Sequence, residues 1–202
     1  MIKFKSKIIV ISGATASGKS SVAIQIAKIF NGAIINADSL QIYRDLPILS
    51  AQPTAENFKE VEHFLYGILD SNQKISVGIW LKMVAEIVEK IQRENKIPII
   101  VGGNGMYISK LIDGINEIPE IAENFRLQAQ NLYEEIGHQK FQEKFGNAKI
   151  IDKQKLLRAG EVFLQTGKKI EFFQQQLPKK ILENQQFIHL NLNPSREEIY
   201  KN

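Results

Sequence analysis

One feature of the 202-residue chain restricts its fold more than any other: a glycine-rich loop between an apolar run and a helical pattern. The apolar run, residues 7–12, predicts a buried strand, and apolar residues at helical spacing from Ser20 to Phe30 predict a helix. A strand, a loop that fits G-x-x-x-x-G-K-[ST] and a helix, in this order, are typical of a parallel α/β domain. A glycine-rich turn that matches by chance is the alternative, but it does not account for the flanking strand and helix. The loop consists of Gly13, Ala14, Thr15, Ala16, Ser17, Gly18, Lys19 and Ser20.

The composition of this loop predicts an anion site. Glycines allow backbone N–H groups to converge on a phosphate, and the N-terminus of the following helix adds positive potential. Lys19 supplies a cation, and the Ser20 hydroxyl can join the coordination shell of Mg²⁺. We therefore expect the eight loop residues to bind a diphosphate or a nucleotide, with Mg²⁺ as the cofactor and Ser20 as its protein ligand. The loop alone does not say which phosphate compound is held.

Strand and helix patterns alternate through the first half of the chain. Strands are predicted at Ala33–Asn36, Phe64–Ile68, Ile97–Val101 and, near the C-terminus, Phe187–Leu192. The fold class predicted is therefore α/β, a P-loop NTPase-like parallel sheet flanked by helices. A helix is predicted in this region with Ser76 as its N-cap, and its predicted inner face consists of Trp80, Met83, Val84, Ile87, Val88 and Ile91.

Residues 119–176 have a different character, with charged and glutamine-rich helical stretches and no convincing strand. The predicted helix ends in this part are Gly137, Gly146 and Gly167. Because strand character returns only near the C-terminus, we predict an α/β core formed by residues 1–114 and 185–202. Residues 115–184 are then a helical insertion domain.

The composition excludes several classes of site. The chain has no cysteine, so it has neither disulfides nor thiolate metal sites. His63, His138 and His189 are too scattered for a zinc cluster, so any metal is expected to be a hard ion with oxygen ligands. No stretch approaches the roughly 20 apolar residues of a membrane span. We expect a cytoplasmic, monomeric protein with no membrane partner.

The net charge of +4 is unevenly distributed. Residues 149–180 contain eight basic residues against three acidic ones. This segment is able to neutralise phosphates along a nucleic-acid backbone, or it is the solvated face of lysine-rich helices. Charge alone does not choose between the two. The basic residues are Lys149, Lys153, Lys155, Arg158, Lys168, Lys169, Lys179 and Lys180.

An early aspartate, Asp38, is the candidate acid of the site. In an ordinary nucleotide hydrolase a later apolar strand ends in an aspartate for the metal-bound water, whereas here the strand Ile97–Val101 ends in Gly-Gly. Asp38 lies just beyond the predicted strand Ala33–Asn36 instead. Because open parallel sheets place their chemistry at the carboxyl ends of the strands, Asp38 is expected near the phosphate loop.

Five motifs occur in one order along the chain. G-A-T-A-S-G-K-S at Gly13–Ser20 is followed by N-A-D-S-L-Q-I-Y-R at Asn36–Arg44, H-F-L-Y-G at His63–Gly67, I-V-G-G-N-G-M-Y-I at Ile100–Ile108 and Q-K-L-L-R-A-G-E-V at Gln154–Val162. The combination closely resembles the tRNA dimethylallyltransferases. This resemblance implies transfer of a dimethylallyl group from dimethylallyl diphosphate to the exocyclic amine of the adenosine 3′-adjacent to the anticodon in tRNA. It also implies a helical insertion that grips the anticodon stem-loop.

The resemblance implies roles for individual residues. Asp38 corresponds to the base that accepts the amine proton, and Thr15 to a threonine that hydrogen-bonds the diphosphate near the breaking bond. Thr15 is alternatively a loop residue that bonds its own backbone. Arg126 is equally compatible with a solvated surface charge. The residues implied to contact tRNA are Asp38, Ser39, Leu40, Gln41, Asn104, Arg126, Gln154, Lys155, Leu156, Leu157 and Arg158.

Some features depart from the family pattern. Gln52 replaces the usual lysine, Gly160 replaces a leucine inside a helix, and residues 150–153 replace the expected H-P-N-D. The helical C-terminal region of the family is not present in the 202 residues, so a truncated, inactive remnant that binds tRNA or diphosphate is one alternative. A P-loop small-molecule or nucleotide kinase is another, because it shares the loop and the strand-end acid.

Overall fold

The computed structural model describes residues 6–103, 105–147, 150–195 and 197. The strands are β1 (Lys7–Gly13), β2 (Gly32–Asn36), β3 (His63–Phe64), β4 (Ile97–Gly102) and β5 (Gln186–Leu192). The helices are α1 (Lys19–Phe30), α2 (Ala55–Glu60), α3 (Val77–Arg93), α4 (Gly105–Asp113), α5 (Glu123–Phe145), α6 (Lys153–Thr166) and α7 (Ile170–Gln174).

The strands form one sheet in the order β3-β2-β4-β1-β5, and every pair is parallel. The predicted α/β fold class is confirmed. The predicted strand at Phe64–Ile68 is wrong in its extent, since β3 ends at Phe64. Leu65 and Gly67 have φ values of 64° and 56°, a left-handed conformation that cannot continue an extended strand.

Apolar residues cover both faces of the sheet. On one face Ile8 and Val10 pack with α3 and α4, and on the other Ile9 and Ile11 pack with α1. This alternation follows from the period of two in a strand. The α3 prediction is confirmed at its N-terminus, where the Ser76 hydroxyl accepts a hydrogen bond from the backbone of Ile79.

Two compact units divide the chain, residues 1–115 with 180–202, and residues 116–179. The first contains the sheet. In the second, Phe141, Phe145 and Leu156 are buried in a core between α5 and α6. Helix ends occur as predicted: Gly146 and Gly167 are the residues that follow α5 and α6, and Gly137 has a φ of 77° that breaks the helical path within α5.

Gly160, the unexpected glycine of α6, has a packing explanation. It is buried, and the ring of Phe141 occupies the space that its side chain would fill. A Cβ atom at Gly160 would overlap Phe141 Cζ and lie 2.8 Å from Cε1. Phe141 is itself fully buried and in ring contact with Tyr133 and Phe145, so it has no room to withdraw.

We expect Gly160→Ala to destabilise the protein, although alanine is the better helix former. Overpacking of a filled core costs about 1–3 kcal/mol, more than the roughly 1 kcal/mol that alanine contributes to a helix. Gly78→Ala in α3 is the matched control, because the added Cβ would meet only Ser76 Oγ at 3.8 Å. Urea unfolding should therefore shift in opposite directions for the two variants. A stabilised Gly160→Ala would contradict the packing account.

Candidate functional site

The candidate site lies at the carboxyl edge of the sheet. The loop of residues 13–20 follows β1, Asp38 follows β2 by two residues, and Gly103 follows β4. The backbone N–H of Ala37 donates to the Val101 carbonyl at 2.8 Å, which keeps the chain after β2 against β4. Gly102 permits this approach, because a Cβ there would overlap the Ala37 backbone.

Glycines allow the phosphate loop to pack closely against the backbone of neighbouring segments. A Cβ on Gly13 would overlap the Leu192 carbonyl oxygen of β5, and one on Gly103 would lie 3.3 Å from the Gly13 carbonyl. Gly18 precedes α1 with a φ of 82° and contributes no side-chain cap, so the first turn of the helix is open to an anion. Within the described residues, the buried Ser17 hydroxyl oxygen has no hydrogen-bond partner. The loop therefore presents polar groups that a bound phosphate would satisfy.

Lys19 turns back over the loop, and its ammonium donates to the Ala14 carbonyl at 2.5 Å. Burial lowers the pKa of Lys19, and the negative charge of Asp38 partly opposes this effect. The carboxylate after β2 thus acts electrostatically on the cation of the phosphate loop. Asp38 is half-buried, so its carboxylate is not enclosed in the apolar interior.

Asp38 is held by its neighbours in a fixed conformation. Its Oδ1 accepts a hydrogen bond from the Leu40 backbone at 2.9 Å, and its own N–H donates to Asn36 Oδ1 at 2.8 Å. Asn36 Nδ2 donates to the carbonyls of Asp38 and Leu65, and the Trp80 indole donates to the Asn36 carbonyl. Asn36 is fully buried, so these bonds are well shielded from water.

Sequence reasoning assigned no role to Asn36. The available signal was its position, a polar residue at the end of an apolar strand directly before the candidate acid. Trp80, which was predicted to be a core residue, is confirmed as one, and its ring stacks on Tyr107 at 4.7 Å.

The charge of Asp38 acts on two tyrosines, Tyr66 and Tyr107. Burial, and to a lesser degree the Asp38 charge, raises the pKa of Tyr66 above the usual tyrosine value. The pKa of Tyr107 is raised by burial first, then by Tyr43 and by the Asp38 charge. Both side chains therefore stay neutral at physiological pH and are able to donate hydrogen bonds. Tyr66 also makes edge contacts with the rings of Phe58 and His63.

The other predicted site residues of the sheet unit differ in how far their side chains are exposed to solvent. Thr15 is exposed, and its hydroxyl has no hydrogen bond to any described residue. Leu40 is 57% exposed, whereas Ser39 is half-buried. The Gln41 amide donates to the carbonyls of Ser50 and Ala51, so its NH₂ group holds the following loop. Asn104 lies outside the described residues.

In the helical unit, α6 exposes Gln154 and Lys155, whereas Leu157 and Arg158 are half-buried. Arg158 pairs with Glu161 at 3.0 Å. Leu156 is fully buried, so the expectation that its side chain contacts RNA is wrong. Its place on the inner face of an amphipathic helix is the physical reason.

Arg126 lies on the other long helix, α5, where its guanidinium is 3.6 Å from Glu123. Both side chains are largely exposed. This geometry fits the alternative interpretation of a solvated surface charge at least as well as that of an RNA contact.

A metal cage made only of protein groups is not present: no cluster of three or more His, Asp or Glu side chains suitable for a metal occurs in the described ranges. Ser20 is exposed in the first turn of α1. This arrangement fits Mg²⁺, which keeps several waters and commonly shares its shell with substrate phosphates.

Comparison with known proteins identifies the family of the chain. The family model described as IPP transferase matches residues 41–202. The chain belongs to the IPP transferase family. A tRNA dimethylallyltransferase of Rickettsia felis is 40% identical over 205 residues, covering 98% of this chain and 66% of that protein. One of Hyphomonas neptunium is 36% identical over 204 residues, covering 96% of this chain and 64% of that protein.

Solved structures also resemble this IPP transferase family member. A tRNA isopentenylpyrophosphate transferase of Staphylococcus epidermidis aligns with a TM-score of 0.58 at 32% identity, covering 96% of this chain and 66% of that one. A eukaryotic dimethylallyltransferase acting on tRNA aligns with a TM-score of 0.69 at 26% identity, covering 92% of this chain and 48% of that one. The chain spans about two thirds of the length of the two curated relatives named above. Among the described helices, none combines the length and hydrophobicity that crossing a membrane requires.

Proposed function

We propose that this IPP transferase family member transfers a dimethylallyl group from dimethylallyl diphosphate to the exocyclic amine of the adenosine 3′-adjacent to the anticodon in tRNA. The observation that carries the proposal is the shared carboxyl edge of the sheet, where Asp38 follows β2 and the phosphate loop with Lys19 follows β1. The negative charge of Asp38 also partly opposes the lowering of the Lys19 pKa by burial. The relatives support the proposed reaction, because they are named tRNA dimethylallyltransferases or described as dimethylallyltransferases acting on tRNA.

The proposed reaction is a displacement at the allylic carbon. The amine nitrogen of adenine forms a bond to C1 of the donor, while the bond from C1 to the diphosphate oxygen breaks and its electron pair leaves with the diphosphate. The amine loses one proton, which Asp38 accepts. The adenine amine is a weak nucleophile because its lone pair is delocalised into the ring, so removal of this proton as the bond forms lowers the barrier.

The leaving diphosphate is the main electrostatic problem of the reaction. Lys19, the loop N–H groups and the open first turn of α1 are the groups that would stabilise its charge. We assign Mg²⁺ as the cofactor, with Ser20 as its protein ligand; when bound, it would neutralise charge on the leaving group. Thr15, exposed in the loop, is proposed to hydrogen-bond the diphosphate.

The helical unit is proposed to bind the tRNA anticodon stem-loop. The proposal is supported by the exposure of Lys155 on α6, whose ammonium is able to neutralise a backbone phosphate. We expect Lys155→Ala to weaken tRNA binding uniformly across tRNA sequences and to lower the slope of log affinity against log salt by about 1. Lys82→Ala, which removes an exposed lysine of α3, is the matched control and should leave the slope unchanged. Filter binding at several salt concentrations measures both.

The decisive assay follows label from the donor into RNA. Purified protein is incubated with labelled dimethylallyl diphosphate, Mg²⁺ and unmodified tRNA that carries A 3′-adjacent to the anticodon. Label in that adenosine is the expected result. Diphosphate and tRNA binding without incorporation would favour a non-catalytic binding protein, and much tighter binding of ATP than of dimethylallyl diphosphate would favour a kinase.

A further inference from the structure

Asn36, the last residue of β2, is the one polar side chain that is fully buried in the described part of the chain. It lies in the sheet beside Val101 of β4, and the indole of Trp80 donates to its backbone carbonyl at 3.0 Å. The Asn36 backbone is therefore held from both the sheet and α3. An amide buried in this way is unfavourable unless its polar atoms are bonded, so the partners of the side chain indicate its role.

The side-chain amide of Asn36 uses its oxygen and both of its N–H groups. Oδ1 accepts from the backbone N–H of Asp38 at 2.8 Å, and Nδ2 donates to the Asp38 carbonyl at 3.0 Å. The second N–H of Nδ2 donates to the Leu65 carbonyl at 2.9 Å. One side chain thus binds both polar groups of the Asp38 backbone.

These two bonds attach the backbone of Asp38 to the fold. The bonding of this segment to the sheet ends one residue earlier, where the Ala37 N–H donates to the Val101 carbonyl. Among the residues that the structure describes, the N–H and the carbonyl of Asp38 have no other hydrogen bond. The bond from the Leu40 N–H to Oδ1 lies within the same segment. Without Asn36 the Asp38 backbone would therefore be held only through its covalent neighbours.

The bond to Leu65 links the Asp38 segment to the turn that follows β3. Leu65 is buried and has a φ of 64°, which is unfavourable for leucine, so the bond to its carbonyl helps to hold this conformation. The turn also bonds directly to the Asp38 segment, since the Gly67 N–H donates to the Gln41 carbonyl at 3.0 Å. Asn36 therefore lies at the junction of two segments at the carboxyl edge of the sheet.

We propose that Asn36 is a positioning residue for the transfer: its amide fixes the backbone of Asp38, and thereby the place of the carboxylate that accepts the amine proton. The inference rests on the proposed function. Asn36 is fully buried, so it touches neither substrate and acts only through Asp38. A general base must lie within hydrogen-bond reach of the proton that it removes, and a displacement of about 1 Å is able to lower a rate on the order of 100-fold. A residue that only stabilises the fold would not change the rate of the folded protein.

A double-mutant cycle tests the inference. Asn36→Ala removes all three side-chain bonds, and Asn36→Ser keeps a hydroxyl that is able to restore one. In single-turnover assays on folded protein, we expect Asn36→Ala to lower the transfer rate about 10- to 100-fold and Asn36→Ser to lower it less. Added to Asp38→Asn, either change should lower the residual rate by less than about twofold, because the base that Asn36 positions is already absent. The affinity for inorganic diphosphate should stay unchanged.

Val88→Ala is the matched control, because it removes buried methyl groups from α3 and leaves the bonds of Asp38 intact. It should lower the midpoint of urea unfolding without lowering the transfer rate. Amide hydrogen exchange of the unmodified protein gives a measurement that does not depend on the folding of a variant. The Asp38 N–H should exchange more slowly than the Ser39 N–H, which bonds to no described residue.

Three results would overturn the inference while the proposed function stands. They are an unchanged transfer rate in Asn36→Ala, an equal loss of rate in the unmodified and Asp38→Asn backgrounds, and an Asp38 N–H that exchanges as fast as that of Ser39. Absence of transfer by the unmodified protein would overturn both the inference and the proposed function.

Discussion

Asp38→Asn is expected to reduce the rate of prenyl transfer at saturating substrates by a factor on the order of 100 to 10,000, the usual contribution of a positioned general base. The amide has nearly the shape of the carboxylate, and its oxygen can still accept the Leu40 backbone bond. What is lost is the ability to take the amine proton. Single-turnover assays with excess protein measure the chemical step directly.

A second measurement on the same variant separates catalysis from folding. The affinity of Asp38→Asn for inorganic diphosphate should stay equal or rise, because a negative charge near the phosphate loop is removed. Asp70→Asn is the control: Asp70 is half exposed and pairs with Arg44 at 3.1 Å, so its loss should leave transfer nearly unchanged. An unimpaired rate in Asp38→Asn would remove this residue from the mechanism.

Local patterns were sufficient to predict the sheet, the phosphate loop and the main helices. The strand–loop–helix at the start of the chain and the apolar stripe of α3 each depend on residues close in sequence. β3 was predicted too long because two left-handed residues, Leu65 and Gly67, follow it, and leucine gives no sign of such a conformation. Propensity is a weak guide where tertiary contacts set the backbone.

The parts of the site that sequence could not reveal are those made by distant residues. Asn36 gains its importance from Leu65 and Trp80, which reach it from other elements. Gly160 was interpreted as a departure from the family pattern, and Phe141 on a different helix explains it.

Lys19→Met should lower the rate of transfer by about 100- to 1,000-fold, the effect of removing one main stabiliser of developing negative charge. It should also weaken the binding of inorganic diphosphate, whereas Asp38→Asn should not. The contrast between the two variants assigns the cation to the leaving group and the carboxylate to the acceptor. Equal loss of diphosphate affinity in both would contradict this division of roles.

The pH dependence of diphosphate binding gives an independent test of the Lys19 environment. Burial lowers its pKa below the usual value for lysine, so as the pH rises the ammonium loses its proton earlier than an exposed lysine would. Affinity for inorganic diphosphate should therefore fall in the alkaline range.

In Asp38→Asn the fall should occur at still lower pH, because the charge that raises the pKa is gone. Lys19→Arg, whose guanidinium stays protonated throughout, should show no such fall. Since all variants titrate against the same ligand, the protonation of diphosphate itself cancels, and only a shift between variants reports the coupling of the two residues.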